Sequence, residues 1–123
     1  MKILSSAKKI LIADDDPAIV ESTKFILEEF GYRVDYSYDG KIVYDMKDHF
    51  PDLMLLDIWM SGQDGRDICK YLKKDPLKRS IPVIMISASR DIKKSALAVG
   101  ANDFLEKPFD MEDLLAKINK LLN

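Results

Sequence analysis

The chain has 123 residues, 47% of them hydrophobic and 33% charged, a size that buries one core and a mixture that excludes a disordered tail or a membrane-spanning bundle. With 19 Lys and Arg against 21 Asp and Glu the net charge is -2, and no basic run stands out, so nucleic acid is not expected as a direct partner, since phosphate neutralisation needs a concentrated basic surface. Met1 to Ala7 hold no apolar stretch of signal-peptide length and the single cysteine, Cys69, can form no intrachain disulfide, which fits a cytoplasmic protein with a buried, inert thiol.

In chain order, the short apolar run Ile10–Ala13 predicts a strand buried on both faces. Asp16 followed by Pro17 predicts an N-cap with proline in the first helical turn. Ile19, Thr23, Ile26, Leu27 and Phe30 supply the apolar stripe of that helix, and Gly31 its stop. Tyr32 to Tyr38 reads as a second strand. Ile42, Val43, Met46 and Phe50 suggest a second helical stripe, and Leu53–Leu56 a third strand. Val83–Ile86 follows as a fourth, Gly100 marks another helix stop, and Asn102–Glu106 forms a fifth. Last, Met111, Leu114, Leu115, Ile118, Leu121 and Leu122 fall at i, i+3, i+4, i+7, i+10 and i+11, an amphipathic helix. Strand and helix thus alternate through five β-α units. Connections this short imply an α/β fold with a parallel sheet, right-handed crossovers and helices on both faces.

In open α/β sheets ligands collect beyond the carboxyl ends of the strands. There the first run ends in Asp14, Asp15 and Asp16, the third in Asp57, the fourth in Ser87, and the fifth in Lys107 followed by Pro108. Carboxylates from two strand ends are the hard oxygen ligands that Mg²⁺ prefers. A cation also answers an electrostatic need, because two carboxylates about 4 Å apart repel by roughly 4 kcal/mol at an effective dielectric near 20. A lysine, a hydroxyl and a metal together make a socket for the three oxygens of a phosphoryl group. Taken singly these residues are ordinary: Asp16 is the helix N-cap, Ser87 a turn residue, Lys107 a solvated charge. Their coincidence at adjacent strand ends is what argues for a site. His49, the one histidine, has no companion and is assigned a solvated or packing role.

At these residues the sequence resembles the receiver domains of bacterial two-component response regulators. The resemblance runs from Lys9 to Leu122 and is carried by ILIADDDP from Ile10 to Pro17, by LLDIWM from Leu55 to Met60 with Gly62, Asp64 and Gly65, by PVIMISA from Pro82 to Ala88, and by GANDFLEKPF from Gly100 to Phe109. It implies one receiver domain over residues 1–123, with a core of about 8–122, and a flavodoxin-like (βα)5 doubly wound sheet of order 2-1-3-4-5. It also implies that Asp57 attacks the phosphohistidine of a sensor kinase or phosphotransfer protein. Asp15, Asp57 and the backbone carbonyl of Trp59 would bind Mg²⁺ or Mn²⁺, with Asp14 holding a metal-bound water. Lys107 and Ser87 would meet phosphoryl oxygens, and Phe104 would move inward with the hydroxyl. The output would be a shift of the surface built from the fourth helix, fifth strand and fifth helix, read by a partner protein or by a phosphorylation-dependent homodimer. Such a domain is a signalling module that catalyses only its own phosphorylation and slow autodephosphorylation. Three positions depart from the family pattern: serine for the commoner threonine at Ser87, Ser61 where proline is frequent, and the bulky Trp59 at a place that influences water access to the acyl phosphate. None removes a required group.

Two other readings compete. A haloacid-dehalogenase-type phosphatase also combines an aspartyl nucleophile, Mg²⁺, a hydroxyl and a lysine, and Asp14-x-Asp16 could imitate its opening motif; Ala18, the short chain and the lack of a further acidic pair after Lys107 argue against it. A receiver-like module that binds partners without phosphorylation is disfavoured by the full set Asp14, Asp15, Asp57, Ser87 and Lys107. Flavodoxin itself is excluded, because three aspartates would repel the phosphate its first loop must bind.

Overall fold

The computed structural model describes residues 7–60, 62–89 and 93–123. Five strands, β1 (Lys9–Ala13), β2 (Arg33–Ser37), β3 (Leu53–Asp57), β4 (Val83–Ser87) and β5 (Asp103–Glu106), alternate with α1 (Pro17–Glu29), α2 (Lys41–Asp45), α3 (Gly65–Lys74), α4 (Lys93–Ala98) and α5 (Met111–Leu122). All strand pairings in this sheet are parallel and the order is β2-β1-β3-β4-β5, as expected. A separate antiparallel ribbon pairs Trp59–Met60 with Gln63–Asp64 just beyond β3.

Every residue of β3 and β4 is buried, and the two-residue period of a strand sends alternate side chains to opposite faces. Ile10, Ile12, Leu53, Leu55, Ile84 and Ile86 pack on one face with Val20 and Leu27 of α1 and Leu114 and Ile118 of α5. On the other, Leu11, Met54, Leu56 and Met85 meet Val43 of α2, Ile68 and Leu72 of α3, and Ala96 of α4. The sheet is therefore covered on both sides, which explains the unbroken apolar runs. At the middle of the sheet the chain leaves β1 toward one face and β3 toward the other, opening a crevice between their carboxyl ends.

Local signals behave as expected at α1: Asp16 Oδ1 accepts the Ala18 N–H at 3.0 Å and the Ile19 N–H at 3.5 Å, with Pro17 opening the helix. Gly31 and Gly100 take φ of 93° and 101° beyond α1 and α4, a left-handed conformation that glycine adopts without steric cost.

Two helical expectations need correction. In α1 the buried positions are Val20, Thr23 and Leu27, whereas Phe30 is 64% exposed; it caps the helix, and its ring lies off the buried face. The second stripe does not continue to Phe50, because α2 stops at Asp45 and Met46 is extended at ψ 131°. Lys78 explains the stop. Its ammonium donates to the Val43 and Tyr44 carbonyls at 3.0 and 3.4 Å, the acceptors that another helical turn would use. Pro51 also disfavours helix at Phe50. Ile42, Met46 and Phe50 nevertheless pack against the core on that face.

Candidate functional site

Asp14 directly follows β1, and its N–H donates to the Ser37 carbonyl at 3.1 Å, so the ladder still holds the backbone where the side chain turns into the crevice. Asp57 ends β3. Both are buried, at 2% and 6% exposure, while Asp15 is exposed. The three carboxylates each offer an oxygen within 4.8 Å of the others. Asp16, by contrast, is committed to capping α1.

Lys107 is delivered by β5: its N–H donates to the Ser87 carbonyl at 2.8 Å, one residue past the Ser87–Glu106 pair. From there its Nζ lies 3.0 Å from Asp14 Oδ2 and 3.5 Å from Asp57 Oδ1. The Lys107–Pro108 peptide bond is cis. Burial opposes the lysine's charge, but hydrogen bonding and charge from Asp14, then Asp57, outweigh it and raise its pKa above the ordinary value. For Asp57 the balance goes the other way. Burial, then the Asp14 charge, pushes its carboxyl up to about 6, with Asp15 adding to the rise and Lys107 opposing it. One ammonium does not neutralise three clustered carboxylates.

Ser87 ends β4 and is buried, its Oγ accepting the Ser89 N–H at 3.1 Å. Phe104 lies within the core on the α2–α4 face, at 6% exposure. Trp59 opens the ribbon beyond Asp57 and is 55% exposed. Together with Asp15, Met60, Gly62, Gln63 and Asp64 it lines a cavity of about 390 Å³ beside the acidic cluster. Ser61 lies outside the described residues. His49 is solvated, its side chain 87% exposed beside Asp48. Cys69 is fully buried, and burial pushes its thiol up to about 11, which matches the inert role expected.

Two residues near the site carry more than sequence reasoning assigned them. Gly65 starts α3 with its N–H donating to the Ile58 carbonyl at 2.6 Å. A Cβ there would collide with the Asp57 carbonyl, so only glycine lets α3 pass so close to the β3 end. Arg66, next in α3, places its guanidinium carbon 5.1 Å from the Trp59 ring centroid. Gly65 stood inside a motif and was traceable. Arg66 had no signal, since a basic residue in a first helical turn looks like any solvated charge.

The family model for the response regulator receiver domain matches residues 10–119. The chain belongs to that family. The receiver domain is 38% identical over 120 residues to the DNA-binding dual master transcriptional regulator RpaA of Synechocystis sp., covering 93% of this chain and 48% of that protein, so it spans about half the length of this curated relative. In three dimensions it is similar to a CheY-like response regulator receiver domain protein from Methanospirillum hungatei, with TM-score 0.84 and 33% identity over 95% of this chain and 94% of the other. It is also similar to the receiver domain of the sensor histidine kinase PA1611 from Pseudomonas aeruginosa, with TM-score 0.85 and 25% identity over 95% and 98% of the two chains. That structure has a magnesium ion coordinated in its active site cleft.

The donor chemistry of the receiver domain's acidic cluster suits such an ion: three carboxylates at two strand ends offer hard oxygens. Among the described residues, no helix is long and apolar enough to cross a membrane.

Proposed function

We propose that this receiver domain, taken as one unit over residues 1–123 with a core of about 8–122, accepts a phosphoryl group on Asp57 from the phosphohistidine of a sensor kinase or phosphotransfer protein. The observation that carries this reading is the convergence of Asp14, Asp15 and Asp57 within 4.8 Å of one another, with Lys107 Nζ at 3.0 and 3.5 Å from two of them. Asp57 is the acceptor because it ends the buried strand β3 beside Asp14, Asp15 and Lys107, and burial raises its pKa, which keeps it nucleophilic.

In the transfer an Asp57 carboxylate oxygen bonds to phosphorus as the phosphorus–nitrogen bond of the donor breaks. The electron pair of that bond returns to the imidazole. Asp14, Asp15, Asp57 and the Trp59 carbonyl would hold Mg²⁺ or Mn²⁺, which when bound supplies positive charge to phosphoryl oxygens. Lys107 exchanges its carboxylate contacts for a phosphoryl oxygen, and Ser87 turns its hydroxyl from the Ser89 N–H toward another. Those two residues lie at the ends of β4 and β5, so their displacement biases the α4–β5–α5 surface, with Phe104 packed beneath it. The reader of that surface is a partner protein or a second copy of the domain, acting in the cytoplasm.

The test is intact mass after incubation with acetyl phosphate and Mg²⁺. A stable gain of one phosphoryl group, lost with chelator and in Asp57→Asn, supports the receiver reading. Steady phosphate release without adduct would instead support a phosphatase, and no reaction a phosphorylation-independent binding module.

A further inference from the structure

The guanidinium of Arg66 is fixed on three sides. Its Nε lies 3.0 and 3.1 Å from the two Asp64 carboxylate oxygens and one terminal nitrogen lies 2.6 Å from Asp64 Oδ2. The other terminal nitrogen donates to Ser95 Oγ of α4 at 2.9 Å, and the cation lies over the Trp59 ring at 5.1 Å. Asp64 is itself held, because its Oδ1 accepts the Arg66 N–H at 2.8 Å while capping α3. Hydrogen bonds from Arg66 keep the Asp64 carboxyl below its ordinary range. One planar group therefore joins the ribbon after Asp57, the start of α3 and the first turn of α4. A lysine could keep the charge but not the fork and the stacking together.

Trp59 is two residues from Asp57 and lines the cavity that Asp15 shares. We propose that Arg66 is a positioning residue that clamps the Trp59 indole beside the mouth of the acidic site and ties the clamp to α4 through Ser95, so that the lifetime of the Asp57 phosphoryl group depends on where α4 sits. This rests on the phosphoacceptor reading. The governed step is hydrolysis: a water oxygen bonds to phosphorus, the Asp57–phosphorus bond breaks with its electron pair returning to the carboxylate, and the water's proton leaves to solvent or to the released phosphate. A clamped indole narrows the approach of that water. A freed one leaves it open.

The experiment follows decay of phosphorylated protein by intact mass, after removal of acetyl phosphate, in wild type, Arg66→Lys, Ser95→Ala, Trp59→Ala and the Arg66→Lys/Trp59→Ala pair, with circular dichroism as a check of folding. Loss of a cation–π contact of ordinary strength predicts an acyl-phosphate lifetime shortened about two- to five-fold in Arg66→Lys, and less in Ser95→Ala. In the Trp59→Ala background Arg66→Lys changes nothing further, whereas a merely structural role would persist there. A second readout needs no phosphorylation: acrylamide quenching of Trp59 fluorescence in the metal-free protein rises in Arg66→Lys and Ser95→Ala. If wild type takes no phosphoryl group, the proposed function and the lifetime control both fall, and quenching still decides the clamp. Unchanged quenching, an unchanged lifetime in Arg66→Lys, or an equal effect of Arg66→Lys without Trp59 overturns the proposal.

Discussion

The ammonium of Lys107 lies 3.0 Å from Asp14 Oδ2, a charge-assisted hydrogen bond between side chains that are 18% and 3% exposed rather than a loose surface pair. The lysine therefore holds the clustered carboxylates together, and its proposed second task is to meet a phosphoryl oxygen. Lys107→Ala should lower metal-free stability at pH 7 by about 2 kcal/mol, because truncating one partner leaves a buried charge uncompensated. Millimolar Mg²⁺ should restore much of that loss. Phosphorylated Lys107→Ala should show little phospho-dependent gain in partner affinity. Urea titrations with and without Mg²⁺ check the first two statements, and affinity of the phosphorylated variant the third; a phospho-dependent affinity equal to wild type contradicts the role.

Asp57 makes metal-free stability depend on pH in an unusual direction. Its carboxyl titrates near 6 in the folded protein instead of at the ordinary 3.8, so between those values the folded state binds the proton more tightly than the unfolded chain. Stability should then fall as pH rises through that window, by on the order of 3 kcal/mol. Asp57→Asn should remove that fall and leave the metal-free protein more stable than wild type at pH 7, yet bind Mg²⁺ more weakly. Thermal melts from pH 4 to 7.5, with chelator, measure it; a wild-type curve that rises across the window contradicts the account of the cluster.

How much of this was legible in the sequence follows from what each feature depends on. The sheet was legible because β3 and β4 are buried along their whole length, and full burial leaves apolar runs that need no partner to be recognised. The acidic cluster was legible because strand ends place residues by topology: Asp14 and Asp57 follow neighbouring parallel strands, and Lys107 follows another strand of the same sheet. The length of α2 was not legible, since the cation that takes its last carbonyls, Lys78, comes from 35 residues away from Val43. The Arg66 clamp was hidden for the same reason, as Ser95 lies 29 residues beyond Arg66. The α1 stripe was displaced because Phe30 fits the helical period but falls at the cap, where the chain is already turning out of the core.

Gly65 gives a purely steric prediction. Because an added Cβ would meet the Asp57 carbonyl, Gly65→Ala should cost about 1–3 kcal/mol, typical of overpacking in a close-packed region. It should also slow phosphorylation by acetyl phosphate, since relieving the clash moves the backbone that carries the proposed acceptor, Asp57. A variant with wild-type melting temperature and rate would show that the approach is looser than described.

Trp59 is the one tryptophan of the chain, and its carbonyl is proposed to face the metal. Mg²⁺ should therefore change its fluorescence along a one-site curve, and the same titration should stabilise the fold. At ten times the dissociation constant, linkage gives about 1.4 kcal/mol, a midpoint rise of several degrees for a domain of this size. Fluorescence and melting that both ignore millimolar Mg²⁺ would contradict a metal site at Asp14, Asp15 and Asp57.

Asp57, and not its neighbours Asp14 and Asp15, is proposed to carry the phosphoryl group. Borohydride reduces an acyl phosphate to an alcohol and leaves free carboxylates unchanged, so peptide sequencing by mass spectrometry after phosphorylation and reduction locates the acceptor. Conversion to homoserine is expected at position 57 alone, dependent on both phosphodonor and Mg²⁺. Conversion at position 14 or 15, or none at all in protein that has gained phosphoryl mass, would contradict it.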